Sequence, residues 1–313
     1  MKRLLTGLQS SGTLHIGNYF GALKPFVDTY EQYESFLMVV DYHSLTSLKD
    51  PAALRSNIES VVLDYLAAGV DPLKATIFQQ SLVQEHTELA WIFECLVTVP
   101  FLMQSHAYKD KVAKGLDANA GLFNYPMLMA ADILLYDTDV VPVGEDQRQH
   151  IEYTREAANK FNNVYGQTFI EPREAILPGV GVVPGTDGKK MSKSYGNTIP
   201  LFGSKDEITK AVLSIVTDSS GDVPTNVYAI HLLIKPETEL TPLYEANKGK
   251  YKNLKDALIE DIDALVAPMR ERREQFANDP TLVKRVLTDG ADKARVIANT
   301  KMQDVRKKIG VSL

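Results

Sequence analysis

Short apolar, β-branched runs occur at residues 4–8, 36–40, 75–78 and 140–143, and stretches of helical periodicity lie between them, as at 52–68 after Pro51 and at 85–102. Strands that alternate with helices of this length predict an α/β fold built on a parallel, doubly wound, Rossmann-like sheet. In such sheets ligands bind beyond the carboxyl ends of the strands. Polar, chemically capable residues follow each run: Gln9-Ser10-Ser11, Asp41-Tyr42-His43, Gln79-Gln80-Ser81 and Gly144-Glu145-Asp146-Gln147. From about residue 202 the strand pattern stops. Helical segments broken by Pro, Gly and Asp follow at 207–216, 226–233, 254–276, 281–287 and 291–309. The predicted organisation is a nucleotide-binding domain over 1–202, interrupted by a mostly helical connecting insertion at about 50–124, and an α-helical domain over 203–313.

Composition narrows the class. The chain has 313 residues, 44% hydrophobic and 24% charged, which is the balance of a soluble globular protein. No apolar run reaches the roughly 18 residues of a membrane span, and the opening Met-Lys-Arg-Leu-Leu-Thr-Gly lacks a signal-peptide core, so a cytoplasmic location with no membrane partner is expected. A single cysteine, Cys95, excludes an internal disulfide and any cysteine-clustered metal site. The net charge of −6 argues against nucleic acid until it is divided. Residues 250–313 carry 14 Lys/Arg against 10 Asp/Glu, a net of +4, which leaves −10 for residues 1–249. The C-terminal part is therefore the better RNA face, although such an excess also suits a solvated helical surface.

The first strand runs into Gln9-Ser10-Ser11-Gly12-Thr13-Leu14-His15-Ile16-Gly17-Asn18, a small-residue turn followed by a helix start near residues 15–17. Free N–H groups and the positive dipole end of a helix make such a turn an anion site, or simply an ordinary connection. Gly12 and Gly17 admit a phosphate or ribose close to the backbone, and His15 and Asn18 add donors. Far along the chain, Lys189-Lys190-Met191-Ser192-Lys193-Ser194 alternates ammonium and hydroxyl groups after Gly185 and Gly188. That pattern suits a polyanion; by itself it also describes a solvated basic turn.

Other segments carry further chemistry. On a helix through Tyr125-Pro126-Met127-Leu128-Met129-Ala130-Ala131-Asp132, with Pro126 expected near its start, Tyr125, Met129 and Asp132 fall within roughly 60° of one another. A carboxylate beside a methionine and an aromatic ring suits a flat apolar ligand with one N–H, or else caps a neighbouring element. After the strand at 140–143, Glu145 and Asp146 suit ribose hydroxyls or merely a helix N-terminus, and Gln147 suits an ammonium group or a ribose. Asp41 and His43 are expected in the same crevice. Lys111, in the basic Tyr108-Lys109-Asp110-Lys111 run before a glycine-bounded segment, either reaches a triphosphate or is solvated.

Taken together, the Gly-Thr-Leu-His-Ile-Gly-Asn and Lys-Met-Ser-Lys-Ser segments resemble the two signatures of class I aminoacyl-tRNA synthetases. Adding the segments at 124–136 and 141–150, and the C-terminal run from Arg285 to Ala294, the chain resembles the bacterial-type tryptophanyl-tRNA synthetases over essentially its whole length. The resemblance implies ATP contacts at Gln9, Ser10, Ser11, Gly17, Asn18, Gly144, Glu145, Asp146, Val183, Lys190, Met191, Ser192, Lys193 and Ser194. It places L-tryptophan at Asp132, with Leu5, His43, Tyr125, Met129, Val141, Val143 and Gln147 around it. It assigns catalytic roles to His15, Asn18, Lys111, Lys190 and Lys193, with Mg²⁺ accompanying ATP rather than sitting in a protein metal site. It also implies tRNA(Trp) as partner, an anticodon-binding role for 203–313, and a homodimer. The chain departs from the family in having Ser10 where Pro is common and Leu5 where Phe is common; Asn18 at the second signature histidine is usual for tryptophanyl members. Two alternatives share these motifs: a tyrosyl-tRNA synthetase, and a non-catalytic synthetase paralogue that binds RNA. A small-molecule nucleotidyltransferase lacks the lysine loop in this form.

Overall fold

The computed structural model describes residues 1–8, 12–115, 117–142, 148–175, 183–217 and 221–312, with only the backbone of Leu8 and Ser194 included. The strands β1 (Arg3–Leu8), β2 (Glu34–Val39), β3 (Ala75–Gln79), β4 (Val140–Pro142) and β5 (Arg173–Ala175) form one parallel sheet in the order β3-β2-β1-β4-β5. The register sets Leu5 beside Phe36 and Leu4 beside Val140. The order reverses between β1 and β4, and that reversal opens a crevice at the strands' carboxyl ends. The first four strands match the apolar runs. β5 carries no such signal because it is a three-residue edge strand reading Arg-Glu-Ala, and charge is usual on an edge.

Helices follow as α1 (Ile16–Asn18), α2 (Lys24–Thr29), α3 (Asp41–Ser44), α4 (Pro51–Ala67), α5 (Glu85–Glu94), α6 (Val99–Leu102), α7 (His106–Ala113), α8 (Ala120–Leu134) and α9 (Arg148–Tyr165). The C-terminal part contributes α10 (Lys205–Leu213), α11 (Thr225–His231), α12 (Glu237–Ala246), α13 (Tyr251–Ala277) and α14 (Leu282–Ile309). Strand side chains alternate between two buried layers. Leu4, Leu37, Val39 and Ile77 face one, with residues of α4, α10 and α13; Leu5, Phe36, Met38 and Phe78 face the other, with α5, α8, α9 and α14.

Three expected elements differ. The helix expected over 85–102 is two, because Pro100 sits in the first turn of α6, where its missing N–H costs nothing. Pro126 lies inside α8 rather than near its start: Asn119 caps the helix seven residues earlier, accepting the Leu122 N–H at 2.8 Å. The segments 281–287 and 291–309 are one helix running through Gly290. A Cβ there would come within 1.8 Å of the Ile77 carbonyl oxygen, so the glycine lets α14 cross β3 rather than ending a helix. The segment 50–124 contains β3, which pairs along β2, so this strand belongs to the sheet. α13 is fastened to α4 by Arg273 Nε on the fully buried Asp64 Oδ1 at 2.6 Å and by Arg272 on the Ala67 carbonyl.

Candidate active site

The crevice at the β1/β4 reversal is a cavity of about 690 Å³. Its lining includes Leu5, His15, Asn18, His43, Tyr125, Met129, Asp132, Val141, Ser192 and Lys193 of the residues expected there. Gln9, Ser10, Ser11, Val143, Gly144, Glu145, Asp146 and Gln147 lie outside the described residues.

The two signature segments meet although some 170 positions separate them. The Ile16 N–H donates to the Ile199 carbonyl and the Leu201 N–H to the Leu14 carbonyl, each at 3.0 Å. A Cβ at Gly17 would sit 3.3 Å from Met191 Cβ, and one at Gly12 would sit 3.7 Å from Lys193 Nζ. Glycine at 12, with φ +92°, is required by the backbone as well. Met191 and Val183 are buried beneath the loop and joined by Met191 N–H on the Val183 carbonyl at 2.8 Å, so they support it. Lys190 is exposed in a bridge with Pro184 and does not line the cavity. Lys111 stands one helical turn along α7 from Ala107, which does line it.

His15 caps α1. Its Nδ1 accepts the Asn18 N–H at 3.3 Å while Asn18 Oδ1 accepts the His15 N–H at 3.1 Å. With Nδ1 accepting, the ring proton is assigned to Nε2. Burial, and then the nearby Lys193 ammonium, lower the His15 pKa to about 4. At neutral pH His15 is therefore an uncharged donor at the helix mouth.

The other end of the cavity closes on Asp132, which is 2% exposed. His43 Nε2 lies 2.9 Å from its Oδ2, Gln80 Nε2 donates to both oxygens at 2.9 Å, and His86 Nδ1 lies 2.6 Å from Oδ1. The His86 approach is close but bent, an electrostatic contact more than an aligned hydrogen bond. Burial raises the Asp132 pKa, yet His86 and His43 outweigh it and bring it down to about 2. Asp132 is thus an ionised acceptor in an apolar wall. Tyr125 is joined through its hydroxyl to His150 Nε2, and burial raises its pKa.

Asp41 is not in this cavity. Its oxygens accept Gln79 Nε2 at 2.8 Å and the Ser81 N–H at 3.0 Å, so it pins the end of β3. Sequence reasoning passed over Gln80, His86, Tyr136, His150 and Asn197. Gln80 was visible as a polar residue closing a strand. His86 offered no signal beyond a histidine near the start of an apolar helix. Asn197 holds the lysine loop, accepting the Ser192 N–H at 2.7 Å and donating to the Lys190 carbonyl at 3.1 Å.

A nucleotide-sized crevice bounded by both signature segments defines a class, and the comparisons agree. Residues 1–279 match the family model of the class I tRNA synthetases (W and Y), and the chain belongs to that family. Within it the chain groups with the bacterial-type tryptophanyl enzymes. A tryptophan–tRNA ligase of Fusobacterium nucleatum is 48% identical over 320 residues, covering 99% of this chain and 98% of its own length. A tryptophanyl-tRNA synthetase of Campylobacter jejuni, solved with ADP and tryptophan, is 44% identical with a TM-score of 0.92, covering 98% of this chain and 99% of its own. A tyrosyl-tRNA synthetase of Archaeoglobus fulgidus, at 19% identity and TM-score 0.66 over 87% of this chain and 90% of its own, shares the fold.

Proposed function

We propose that the chain activates L-tryptophan with ATP and transfers it to tRNA(Trp), the indole sitting against Asp132 and the nucleotide lying between the two signature segments. The observation that carries this is a single cavity with a buried ionised acceptor at one end and the Lys193 side chain at the other. In the first step the tryptophan carboxylate oxygen attacks the α-phosphorus in line. The bond to the bridging oxygen breaks, leaving tryptophanyl-adenylate and pyrophosphate. In the second step the 2′-OH of the terminal adenosine attacks the activated carbonyl and AMP leaves. The chain supplies positioning and charge stabilisation rather than a nucleophile. His15 Nε2–H and the α1 N-terminus hold the nucleotide, Lys193 faces the phosphates, and Lys190 and Lys111 are the further cations assigned to them. Leu5, Met129 and Val141 enclose the ring, and Tyr125 and His43 border it.

Among the described residues no group of three His, Cys, Asp or Glu side chains forms a metal site. By family likeness Mg²⁺ would enter on the triphosphate, where it would neutralise charge on the pyrophosphate. By family likeness we assign Gln9, Ser10, Ser11, Gly17, Gly144, Glu145 and Asp146 to the same nucleotide site, and Val143 and Gln147 to the tryptophan side. The net +4 of residues 250–313 supports an anticodon-binding role for 203–313. Family likeness also supports a homodimer and a cytoplasmic location. Charging assays with tRNA(Trp) and tRNA(Tyr) transcripts decide the acceptor. Tryptophan attached to tRNA(Trp) alone, in a Mg²⁺-dependent reaction, is expected; tyrosine attached to either transcript contradicts the proposal.

A further inference from the structure

Behind the cavity lies a buried chain of groups that the proposed chemistry does not use. His86, on α5, is completely buried and does not line the cavity. Its Nδ1 lies 2.6 Å from Asp132 Oδ1, and its Nε2 lies 2.8 Å from the hydroxyl of Tyr136, itself fully buried. We infer that His86, backed by Tyr136, is a positioning residue that holds Asp132 as a fixed acceptor and so selects amino acids whose ring carries an N–H. This rests on the proposed activation of tryptophan.

Proton positions support the assignment. A phenol donates readily, so Tyr136 O–H donates to His86 Nε2, and the ring proton then sits on Nδ1, facing the carboxylate. The opposite tautomer would set a lone pair against an anion at 2.6 Å. Nδ1 carries hydrogen whether the ring is neutral or protonated. Three donors therefore meet Asp132: His43, Gln80 and His86. A carboxylate offers about four lone-pair sites. Gln80 reaches both oxygens, so each oxygen is held from two directions, and with every protein neighbour donating, the carboxylate can meet a ligand in the cavity only as an acceptor. Gln80 is oriented by the backbone, since its Oε1 takes the Tyr42 N–H at 3.1 Å. His86 is oriented by one side chain, so it is the link that substitution can alter.

The test compares tryptophan with β-(benzothiophen-3-yl)alanine, in which sulfur replaces the N–H, in ATP–pyrophosphate exchange. Wild type is expected to prefer tryptophan. His86→Leu should lower that preference, as a ratio of kcat/KM values, by about tenfold or more through the KM for tryptophan, with the KM for ATP within about twofold. His86→Asn, whose amide can donate from near the Nδ1 position, should recover most of the preference. Tyr136→Phe should give a smaller loss in the same direction and serves if His86→Leu does not fold. An unchanged preference in a folded variant, or KM values for ATP and tryptophan rising together as Tm falls, overturns the inference. Wild type that fails to exchange with tryptophan instead overturns the proposed function itself.

Discussion

The two ends of the cavity are built on opposite plans. At the proposed indole end Asp132, 2% exposed, is met by His43, His86 and Gln80 within 2.9 Å, and His86 is braced in turn by Tyr136. At the phosphate end Lys190 and Lys193 are exposed, and their loop is anchored mainly through backbone groups: Met191 N–H on Val183, Ser192 N–H on Asn197, Lys190 C=O from Asn197. Recognition of a neutral ring with one N–H needs an acceptor fixed before binding, because misplaced buried charge is costly. Stabilising a transferring phosphoryl group needs cations that can follow charge as it moves, and exposed ammonium groups on a loop supply that.

The contrast can be broken by substitution. Asp132→Asn should do the most damage, since it turns an acceptor into a partial donor facing three donors. Removing a buried charged partner costs about 2–5 kcal/mol, so tryptophan kcat/KM should fall about 10³-fold and Tm should fall with it. Beneath the phosphate end, the fully buried Asp64 is held by Arg273, and Arg273→Met should lower urea-measured stability by about 3 kcal/mol. Burial raises the Asp64 pKa against the opposing pull of Arg273, so this variant should also favour its protonated form. Lys193→Ala should cut kcat for activation about 10²-fold with Tm unchanged. A parallel drop in Tm would show that the phosphate end is as tightly built as the other.

The smallest effect concerns pH. His15 has a folded pKa lowered from 6.5 to about 4, so the unfolded chain takes up that proton first. Its contribution makes stability decline as pH falls from 6.5 towards 4. Asp132 acts in the same direction at lower pH, from 3.8 unfolded to about 2 folded, so its contribution is intact above 3.8 and is lost as pH falls from there through about 2. Melting curves should therefore show mild destabilisation between pH 6.5 and 4 that His15→Gln diminishes, and the KM for tryptophan should stay flat over that range.

The fold was largely legible because buried parallel strands write continuous apolar runs, and four of the five strands do so. β5 escaped because an edge strand needs no such run. Gly290 misled because helix stops and close helix–strand crossings call for the same residue, and only the distance to Ile77 separates them. In the site, the residues lining the cavity were recognisable by type: Asp132, Met129, His43 and Lys193. The residues behind them were not. His86 and Tyr136 are ordinary core residues in local sequence, and their role arises from a contact across 50 positions that periodicity cannot express.

The most direct check on the whole account is ATP–pyrophosphate exchange by the wild-type chain with each of the twenty amino acids in turn. Exchange well above background with tryptophan alone is the predicted result. Comparable exchange with tyrosine, or none with tryptophan, would contradict it.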